Sequence, residues 1–396
     1  NGQLGRAIRK EYAASDVEFI NTDVVAGNGI VSLDITNIDA VMEMVKDTKP
    51  DIIINCAAHT NVDKCEEQQD LAYKINAIGP RNLSIASSEI GAKMIHISTD
   101  YVFEGNGTRP YIEFDKPNPI SAYGRTKLEG ENFVKQFADR FFMLRTAWLY
   151  GDGRNFVKTM LSLAETHDEL SVVCDQLGSP TSAVELAKMI HFLEKTDNYG
   201  IFHATCEGDT NWAEFADEIM KRAGKTTRIK HVTSEEYKKM NPASANRPAY
   251  SILENYMLKL TSDYRMADWH DALYVYNAGY IRETIDSILN QTYHNIELVV
   301  VDDNSKDNTL DVIRSVKDSR VKVYHNEENL GMVGNWNKCL SLTSGEYIKL
   351  ICADDMLDQN AIEIEARAMQ QHPTVNLVES DTRLVDINGK KTGVFH

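Results

Sequence analysis

The sequence is poor in positive charge and has no long apolar run. Its 42 Lys and Arg residues are outnumbered by 59 Asp and Glu residues, which leaves a net charge of −17 at pH 7. A protein that binds the backbone of a nucleic acid needs a basic patch, so we expect no nucleic-acid partner. A membrane-spanning helix needs ~18 consecutive apolar residues. The longest apolar runs, such as 51–58, are much shorter, so we expect no membrane span.

The sequence also lacks paired cysteines. Its six cysteines are scattered, with no C-x-x-C pair and no spacing typical of a zinc site. No secretory signal is visible. Unpaired, reduced thiols are typical of cytoplasmic proteins, and we expect a cytoplasmic location. The 396 residues exceed one average domain, and an apolar fraction of 42% can build more than one core.

Short apolar runs alternate with helical stretches up to residue 273. This alternation predicts an α/β fold with a Rossmann-type, doubly wound parallel sheet. A more broken pattern over residues 150–270 predicts a small substrate lobe. The predicted strands are 17–21, 51–55, 93–98, 141–145 and 171–174, and the predicted helices are 38–48, 71–89, 122–137, 155–166 and 212–223.

A second α/β pattern begins after residue 273. We therefore predict a first α/β domain at 1–273 and a second, partial α/β domain at 274–396, with no Gly- or Pro-rich linker between them. The second domain is predicted to contain helices at 280–289 and 310–316 and strands at 296–301, 321–324 and 347–352.

The chain opens on a glycine-rich segment, Gly2-Gln3-Leu4-Gly5. Glycines at such a turn let the pyrophosphate of a dinucleotide approach the N-terminus of the following helix. A chance loop explains this short match about equally well. Asp23 follows the predicted strand 17–21, where an acidic residue would bind the adenosine ribose, although a turn-forming Asp is an equal alternative. Asp34 and Ile35 could flank the adenine.

Small residues follow the strand at 51–55. Ala57, Ala58 and Thr60 would leave room at its carboxyl end for a flat cofactor, which bulky side chains would fill. The next strand ends in Thr99-Asp100-Tyr101. Because carboxyl ends of parallel strands share one edge of a sheet, these segments are expected to meet at a ligand site.

Tyr123 and Lys127 are four residues apart on a predicted helix and therefore share one face. A nearby ammonium can lower the pKa of a phenol from about 10 towards neutrality, which suits proton transfer. Taken alone, this spacing is more often a surface pair. Together with Thr99 at a strand end and the opening glycine loop, it favours an acid–base site.

These motifs make residues 1–273 resemble dTDP-4-dehydrorhamnose reductases, a branch of the extended short-chain dehydrogenase/reductase superfamily. The resemblance implies reduction of the C4 ketone of dTDP-4-dehydrorhamnose by NADPH or NADH, which yields dTDP-rhamnose for cell-surface polysaccharides. It also allows a homodimer. The segments that carry the resemblance are 2–5, 55–64, 96–103, 145–150, 155–160, 175–181 and 247–251.

The resemblance implies a role for each site residue. Tyr123 would donate the proton to the C4 oxygen, and Thr99 would hydrogen-bond the same oxygen. Lys127 would hold the nicotinamide ribose and lower the pKa of Tyr123. A core aromatic is the alternative for Trp148, and a solvated or lobe-bracing side chain is the alternative for Arg247. The residues that would contact the sugar, the nucleotide or its diphosphate are Asp100, Tyr101, Trp148 and Arg247.

Residues 274–396 resemble the nucleotide-binding half of family 2 glycosyltransferases with the GT-A fold. Asp302 or Asp303 could accept hydrogen bonds from a nucleobase or ribose. Asp354 and Asp355 could hold Mg²⁺ or Mn²⁺ against a donor diphosphate, although an isolated Asp-Asp pair is usually a turn. The acceptor half of such enzymes would lie beyond residue 396, so we expect this segment to bind nucleotide weakly and to transfer no sugar.

Two other functions remain as alternatives. The chain could be a non-catalytic subunit that binds nucleotide sugars on a reductase fold, but intact Thr99, Tyr123 and Lys127 argue against that. It could also be a bifunctional or chimeric protein whose tail is a glycosyltransferase. The acceptor half expected beyond residue 396 argues against transfer by this chain alone.

Overall fold

The chain folds into two compact units, Asn1–Ala272 (unit 1) and Leu273–His396 (unit 2). No helix among the described residues is long and apolar enough to cross a membrane. The computed structural model describes residues 2–13, 15–27, 29–223, 225–242, 244–277, 279–305, 309–353, 355–372, 374, 382–385 and 391–395.

The centre of unit 1 is a four-stranded parallel sheet. The strands of unit 1 are β1 (Asn21–Asp23), β2 (Ile30–Ser32), β3 (Ile52–Asn55), β4 (Lys93–Thr99), β5 (Phe141–Thr146), β6 (Leu149–Tyr150), β7 (Glu169–Val173), β8 (Leu177–Gly178), β9 (Thr181–Ser182), β10 (Gly200–His203), β11 (Thr210–Asn211) and β12 (Arg228–Val232). The central strands are hydrogen-bonded in the order β10-β5-β4-β3.

Helices connect and cover these strands. A π-helix, Lys74–Ile78, joins α4 to α5, and a short 3₁₀ helix, Asp100–Val102, follows β4. The helices that begin in unit 1 are α1 (Gln3–Glu11), α2 (Ile38–Thr48), α3 (Val62–Glu67), α4 (Gln69–Tyr73), α5 (Gly79–Ile90), α6 (Ala122–Phe137), α7 (Phe156–Ala164), α8 (Ala183–Leu193), α9 (Trp212–Arg222), α10 (Ser234–Met240), α11 (Tyr256–Thr261) and α12 (Trp269–Asn277).

The two faces of the central sheet pack into separate hydrophobic clusters. Along β5, Phe142 and Leu144 join one cluster and Met143 joins the other, because successive side chains of a strand leave opposite faces. Helices α1 and α8 cover the Phe142 face, and α2 and α5 cover the Met143 face. The sheet is doubly wound, which confirms the predicted Rossmann-type fold class.

Polar side chains mark the starts of several helices. Asn37 begins α2, Ser121 begins α6, Asn155 begins α7 and Asn211 begins α9, and each accepts a hydrogen bond from a backbone N–H of the first turn. Those N–H groups have no partner within the helix, so such caps stabilise the helix start by ~1 kcal/mol each.

The other strands of unit 1 pair in twos. Strand β7 pairs in parallel with β12, β6 pairs in parallel with β9, and β8 pairs antiparallel with β11. Phe156 of α7 stacks on Phe215 of α9, with ring centroids 5.6 Å apart. These elements lie within the segment for which the sequence predicts a substrate lobe.

Unit 2 is a smaller α/β arrangement. Strand β13 pairs in parallel with β14, and β15 pairs antiparallel with β16. Ile285, Ile288 and Ile313 are buried in its helical layer. Its elements are α13 (Gly279–Leu289), β13 (Leu298–Asp302), α14 (Thr309–Ser315), β14 (Val321–His325), α15 (Gly331–Leu342), α16 (Ala361–Gln371), β15 (Thr382–Val385) and β16 (Lys391–Phe395).

Two strand predictions were wrong. The predicted strand 17–21 shares only Asn21 with β1, because residues 17–20 pair with no strand among the described residues. The predicted strand 347–352 is also absent from the part of the chain that the structure describes. Ile348 there is 53% exposed and Leu350 is 40% exposed. An apolar run becomes a strand only when a neighbouring strand completes its hydrogen bonds.

The predicted helix 71–89 is divided in the structure. The π-helix between α4 and α5 widens the turn at Asn76. The Asn76 side chain accepts a hydrogen bond from His59 N at 2.7 Å and donates to His59 O at 3.1 Å. Such π-turns often occur at functional sites, and this one fixes the backbone one residue after Ala58.

Candidate active site

A cavity of about 580 Å³ lies at the carboxyl ends of β3, β4 and β5. Ligands of open α/β sheets bind at this edge, because the loops that follow the strands diverge there. The predicted site residues that line the cavity are Gly2, Gln3, Leu4, Gly5, Ala58, Thr60, Thr99, Asp100, Tyr101, Tyr123, Lys127 and Trp148. The predicted site residues of unit 1 outside its lining are Asp23, Asp34, Ile35, Ala57 and Arg247.

Two glycines bring α6 close to the cavity. A Cβ atom at Gly124 would overlap the carbonyl oxygen of Tyr101, and one at Gly130 would overlap the carbonyl oxygen of Asn76. Only glycine therefore permits this spacing between the helix and the loops beside it. The close approach presents Tyr123 and Lys127, on one face of α6, to the strand ends.

Thr99 and Asp100 form a hydrogen-bonded pair at the end of β4. The Thr99 hydroxyl donates to Asp100 Oδ1 at 2.9 Å and accepts a hydrogen bond from Tyr101 N at 3.2 Å. Asp100 is only 2% exposed. Burial raises the pKa of its carboxyl to about 6, because the charged form loses solvation.

Lys127 lines the cavity and is almost fully buried. Its ammonium donates a hydrogen bond to the carbonyl oxygen of Ile97 at 2.6 Å. Burial lowers the pKa of this ammonium to about 8, while the negative charge of Glu131 acts in the opposite direction. Lys127 is therefore mostly protonated at neutral pH and loses its proton just above it.

Tyr123 differs from the sequence prediction in its pKa. We expected Lys127 to lower the pKa of the phenol, but burial raises that pKa, and the opposing influence comes from the Thr99 hydroxyl. The physical reason is that the Lys127 ammonium is hydrogen-bonded to Ile97 O instead. The Tyr123 phenol consequently keeps its proton at neutral pH, as a proton donor must.

A buried ion pair beneath the site is a feature that sequence reasoning missed. Glu131 lies one turn beyond Lys127 on α6 and accepts hydrogen bonds from Arg145 Nε at 2.8 Å and Nη2 at 2.7 Å. Ser98 Oγ also donates to Glu131 at 2.7 Å. The helical spacing of Tyr123, Lys127 and Glu131 was the available signal, since all three share one face.

Two tryptophans form one wall of the cavity. The Trp148 ring stacks on Trp212, with centroids 3.7 Å apart and planes 11° apart. Trp148 has a positive φ of 47°, which is strained for a bulky side chain and occurs mainly at functional sites. Trp212 was not predicted, because no local spacing relates it to Trp148.

Backbone and small residues shape the cofactor side of the cavity. Cβ atoms added at Gly2 and Gly5 would meet nothing within 4 Å, so the start of α1 borders open space. Among the described residues, no side chain caps this helix start. Ala57, just outside the lining, donates its N–H to Asn55 Oδ1 at 3.0 Å, which fixes the turn after β3.

The residues predicted for the adenosine end lie apart from this cavity. Asp23 ends β1, and Asp34 is exposed and accepts hydrogen bonds from Thr36 N and Thr36 Oγ1. Ile35 contacts the backbone of α5 at Gly79. Their assignment to the cofactor therefore stays a prediction.

Arg247 is engaged by another side chain. Its Nη2 atom donates to Asp63 Oδ1 and Oδ2, each at 3.1 Å, and Nη1 donates to Ala245 O at 3.2 Å. This arrangement fits the lobe-bracing alternative for Arg247.

The acidic residues of unit 2 form their own local contacts. Buried Asp302 bonds to His325 Nδ1 at 2.8 Å, and Asp303 Oδ1 accepts hydrogen bonds from Leu330 N and Asn326 Nδ2, each at 2.8 Å. Asp355 is exposed, and Asp354 lies outside the described residues. No group of three or more His, Cys, Asp or Glu side chains that could hold a metal ion occurs within the described ranges. The predicted metal site stays a prediction.

Comparison with known proteins gives matches to two families. The model of the RmlD substrate binding domain matches residues 1–280, and that of glycosyl transferase family 2 matches residues 273–392. A dTDP-4-dehydrorhamnose reductase of Sinorhizobium fredii is 38% identical over 287 residues, which are 69% of this chain and 92% of that relative. These matches confirm both resemblances stated from the sequence.

Solved structures give the same result for unit 1. A dTDP-4-dehydrorhamnose reductase from Clostridium acetobutylicum is 50% identical, with a TM-score of 0.65 over 70% of this chain and 95% of that chain. The enzyme of that name from Bacillus anthracis, solved in complex with NADP, is 42% identical, with a TM-score of 0.64 over 70% of this chain and 96% of that chain. The chain therefore belongs, through residues 1–280, to the RmlD substrate binding domain family.

Proposed function

We propose that this protein is an NAD(P)H-dependent reductase that converts the C4 ketone of dTDP-4-dehydrorhamnose to the alcohol of dTDP-rhamnose, in the supply of rhamnose for polysaccharides. One observation carries the proposal. Tyr123, Lys127 and Thr99 meet in one cavity that also contains the glycine-rich start of α1. Related enzymes at 37–50% identity bear this activity in their names.

The cavity fits a nicotinamide dinucleotide. Open space beside Gly2 and Gly5, at a helix start that no described side chain caps, suits a pyrophosphate, because unpaired N–H groups at a helix start attract anions. Ala58 and Lys127 line the cavity, and the N–H groups of Lys127 that do not bond Ile97 O would donate to ribose hydroxyls. When bound, the reduced cofactor supplies the hydride.

The protein's own contribution is to hold and deliver the proton. The Tyr123 phenol stays protonated because its pKa is raised by burial, so it can donate to the C4 oxygen as negative charge develops there. The Thr99 hydroxyl donates to Asp100 Oδ1 and accepts from Tyr101 N, so its single proton would have to turn from Asp100 to hydrogen-bond that oxygen. Lys127, whose ammonium is hydrogen-bonded to Ile97 O, is assigned to the cofactor ribose and not to the pKa of Tyr123.

We assign the sugar nucleotide to the part of the cavity lined by Trp148 and Trp212. Asp100 and Tyr101 are assigned to the sugar hydroxyls, and stacked Trp148 and Trp212 provide a flat apolar surface beside them. An aromatic surface binds an apolar sugar face or a base without requiring hydrogen bonds. The strained backbone of Trp148 fits such a positioning role.

We expect kcat/KM for the nucleotide sugar to be greatest between about pH 6 and pH 8. Asp100, with its pKa raised to about 6, is a hydrogen-bond-accepting carboxylate only above that value, and Lys127, with its pKa lowered to about 8, is charged only below it. Outside this window the rate should fall by about tenfold per pH unit.

A pH–rate profile measures this expectation. Asp100→Asn should remove the acidic limb, and Lys127→Arg should move the basic limb upward, because the guanidinium stays protonated. If both variants keep the pH–rate profile of the parent, the two limbs of the profile come from groups other than Asp100 and Lys127.

We also expect use of both NADH and NADPH without a strong NADPH preference. The Asp23 carboxylate would repel a 2′-phosphate if it lies at the ribose. The ratio of kcat/KM for the two cofactors should therefore stay within about tenfold, and Asp23→Asn should shift it towards NADPH. A parent preference for NADPH of about a hundredfold would place Asp23 away from the ribose.

The direct test of the reaction is turnover. The protein, incubated with dTDP-4-dehydrorhamnose and NADPH, should deplete absorbance at the nicotinamide band in a substrate-dependent manner. Lack of depletion, with nucleotide sugar still bound, would favour the non-catalytic binding subunit.

The proposal also covers the domain boundaries, the location and the oligomeric state of the protein. We assign residues 1–273 to the reductase domain and 274–396 to a partial glycosyltransferase domain, whose match at 273–392 favours a bifunctional or chimeric protein as the second candidate. A cytoplasmic location and a homodimer are also proposed, with the nucleotide sugar as the small-molecule partner. Sugar transfer by residues 274–396 alone would show that the tail is active.

A further inference from the structure

We propose that the guanidinium of Arg154 binds the diphosphate of a nucleotide in the cavity. The proposal rests on the proposed function only in that both ligands of that reaction carry a diphosphate. Among the described residues, the cavity is lined by three cationic side chains, Arg6, Lys127 and Arg154. These three side chains differ in whether they are already hydrogen-bonded to other parts of the protein.

Two of these cationic side chains already donate hydrogen bonds to backbone carbonyl oxygens. Arg6 Nη2 donates to the carbonyl oxygen of Asp152 at 3.0 Å, and Lys127 Nζ donates to Ile97 O at 2.6 Å. Arg154 is exposed and makes no hydrogen bond or ion pair with any residue that the structure describes. Its guanidinium can therefore present two parallel N–H donors to phosphate oxygens.

The backbone around Arg154 is held firmly although its side chain is not. Gly153 has a φ of 109°, and a Cβ atom there would lie 2.6 Å from Arg6 Nη2, so only glycine fits this turn. Asp152 forms a salt bridge with Lys10 of α1 at 2.9 Å. On the other side, Asn155 caps α7 by accepting from Lys158 N at 3.0 Å.

This fixed turn joins the two ligand sides of the cavity. Arg6 and Lys10 belong to α1, whose first residues border the cofactor side, and Asn155 begins the helix that packs against α9 and Trp212. A cation between them is within the cavity that both diphosphates must enter. Little backbone entropy is lost on binding, because the turn is already ordered.

The contrast with Arg247 supports the choice of Arg154. Arg247, the arginine that the sequence suggested for the diphosphate, is bound to Asp63 and lies outside the cavity lining. For Arg247 to bind phosphate, its ion pair with Asp63 would first have to break. Arg154 has no such pair to break among the described residues.

Isothermal titration of the full chain tests the proposal with three probes: thymidine diphosphate, thymidine and NADP⁺. Arg154→Gln should raise Kd for at least one diphosphate probe by about tenfold to a hundredfold, since charged hydrogen bonds are lost, and should leave thymidine unchanged. Arg154→Lys should recover part of the affinity. Low ionic strength is required, because salt screens an exposed charge.

Arg9→Gln is the matched control, because Arg9 lies on α1 of the same unit and does not line the cavity. If Arg154→Gln weakens the binding of thymidine diphosphate, Arg154 contacts the sugar nucleotide. If it weakens the binding of NADP⁺, Arg154 contacts the cofactor. Unchanged affinity for both diphosphates, or an equal loss in Arg9→Gln, overturns the proposal. Since binding of these probes needs no turnover, a failure of the proposed reaction would be seen separately.

Discussion

Replacing Tyr123 with Phe should lower kcat by about 10²- to 10⁴-fold, the usual contribution of a general acid. The phenyl ring keeps the edge-to-face contact with Tyr101, at 5.5 Å between centroids, so packing should persist. Only the hydroxyl that delivers the proton is lost. Steady-state kinetics with the keto sugar and NADPH measure the effect.

Cofactor binding provides the control for this variant. Kd for NADPH should change little in Tyr123→Phe, because the glycine-rich start of α1 and Lys127 are untouched. A Phe variant that retains kcat within a few-fold of the parent would rule out Tyr123 as the proton donor.

Replacing Glu131 with Gln should destabilise unit 1 by about 3–5 kcal/mol, because it leaves the Arg145 charge buried and unpaired. Arg145 is 1% exposed and Glu131 is 0% exposed, so water cannot solvate the remaining charge. Gln has nearly the shape of Glu, so no cavity is created. Urea denaturation measures the change in the free energy of unfolding.

The double variant Glu131→Leu with Arg145→Met is the matched control. Removing both charges should cost much less than removing one, since no unpaired ion remains. Glu131→Gln should also move the basic limb of the pH–rate profile to lower pH, because Glu131 raises the pKa of Lys127. A loss below about 1 kcal/mol in the single variant would show that water reaches Arg145.

Local periodicity predicted the elements that carry the candidate site. Tyr123 and Lys127 share a helical face because they are four residues apart, and Thr99 follows an apolar strand, so both features depend on short sequence spacing. That Tyr123, Lys127 and Thr99 lie in one site was predicted from a general rule: ligands bind at the edge of the sheet where the carboxyl ends of parallel strands meet.

Features that depend on distant residues were not predictable in this way. The Glu131–Arg145 pair, the Trp148–Trp212 stack and the ordered turn at Arg154 each join segments remote in sequence. The failed strands at 17–21 and 347–352 share this cause, because a strand exists only with a partner. The pKa of Tyr123 also depended on where the Lys127 ammonium points, which spacing alone does not determine.

Transfer of deuterium from NADPH labelled at the reactive C4 position of the nicotinamide tests the central claim most directly. After incubation of the full chain with dTDP-4-dehydrorhamnose, mass spectrometry and NMR of the product should find one deuterium at C4 of the sugar, in dTDP-rhamnose. Tyr123→Phe should reduce this incorporation in proportion to its rate. Oxidation of the cofactor without deuterium at C4, or an unchanged keto sugar, would contradict the proposed reduction.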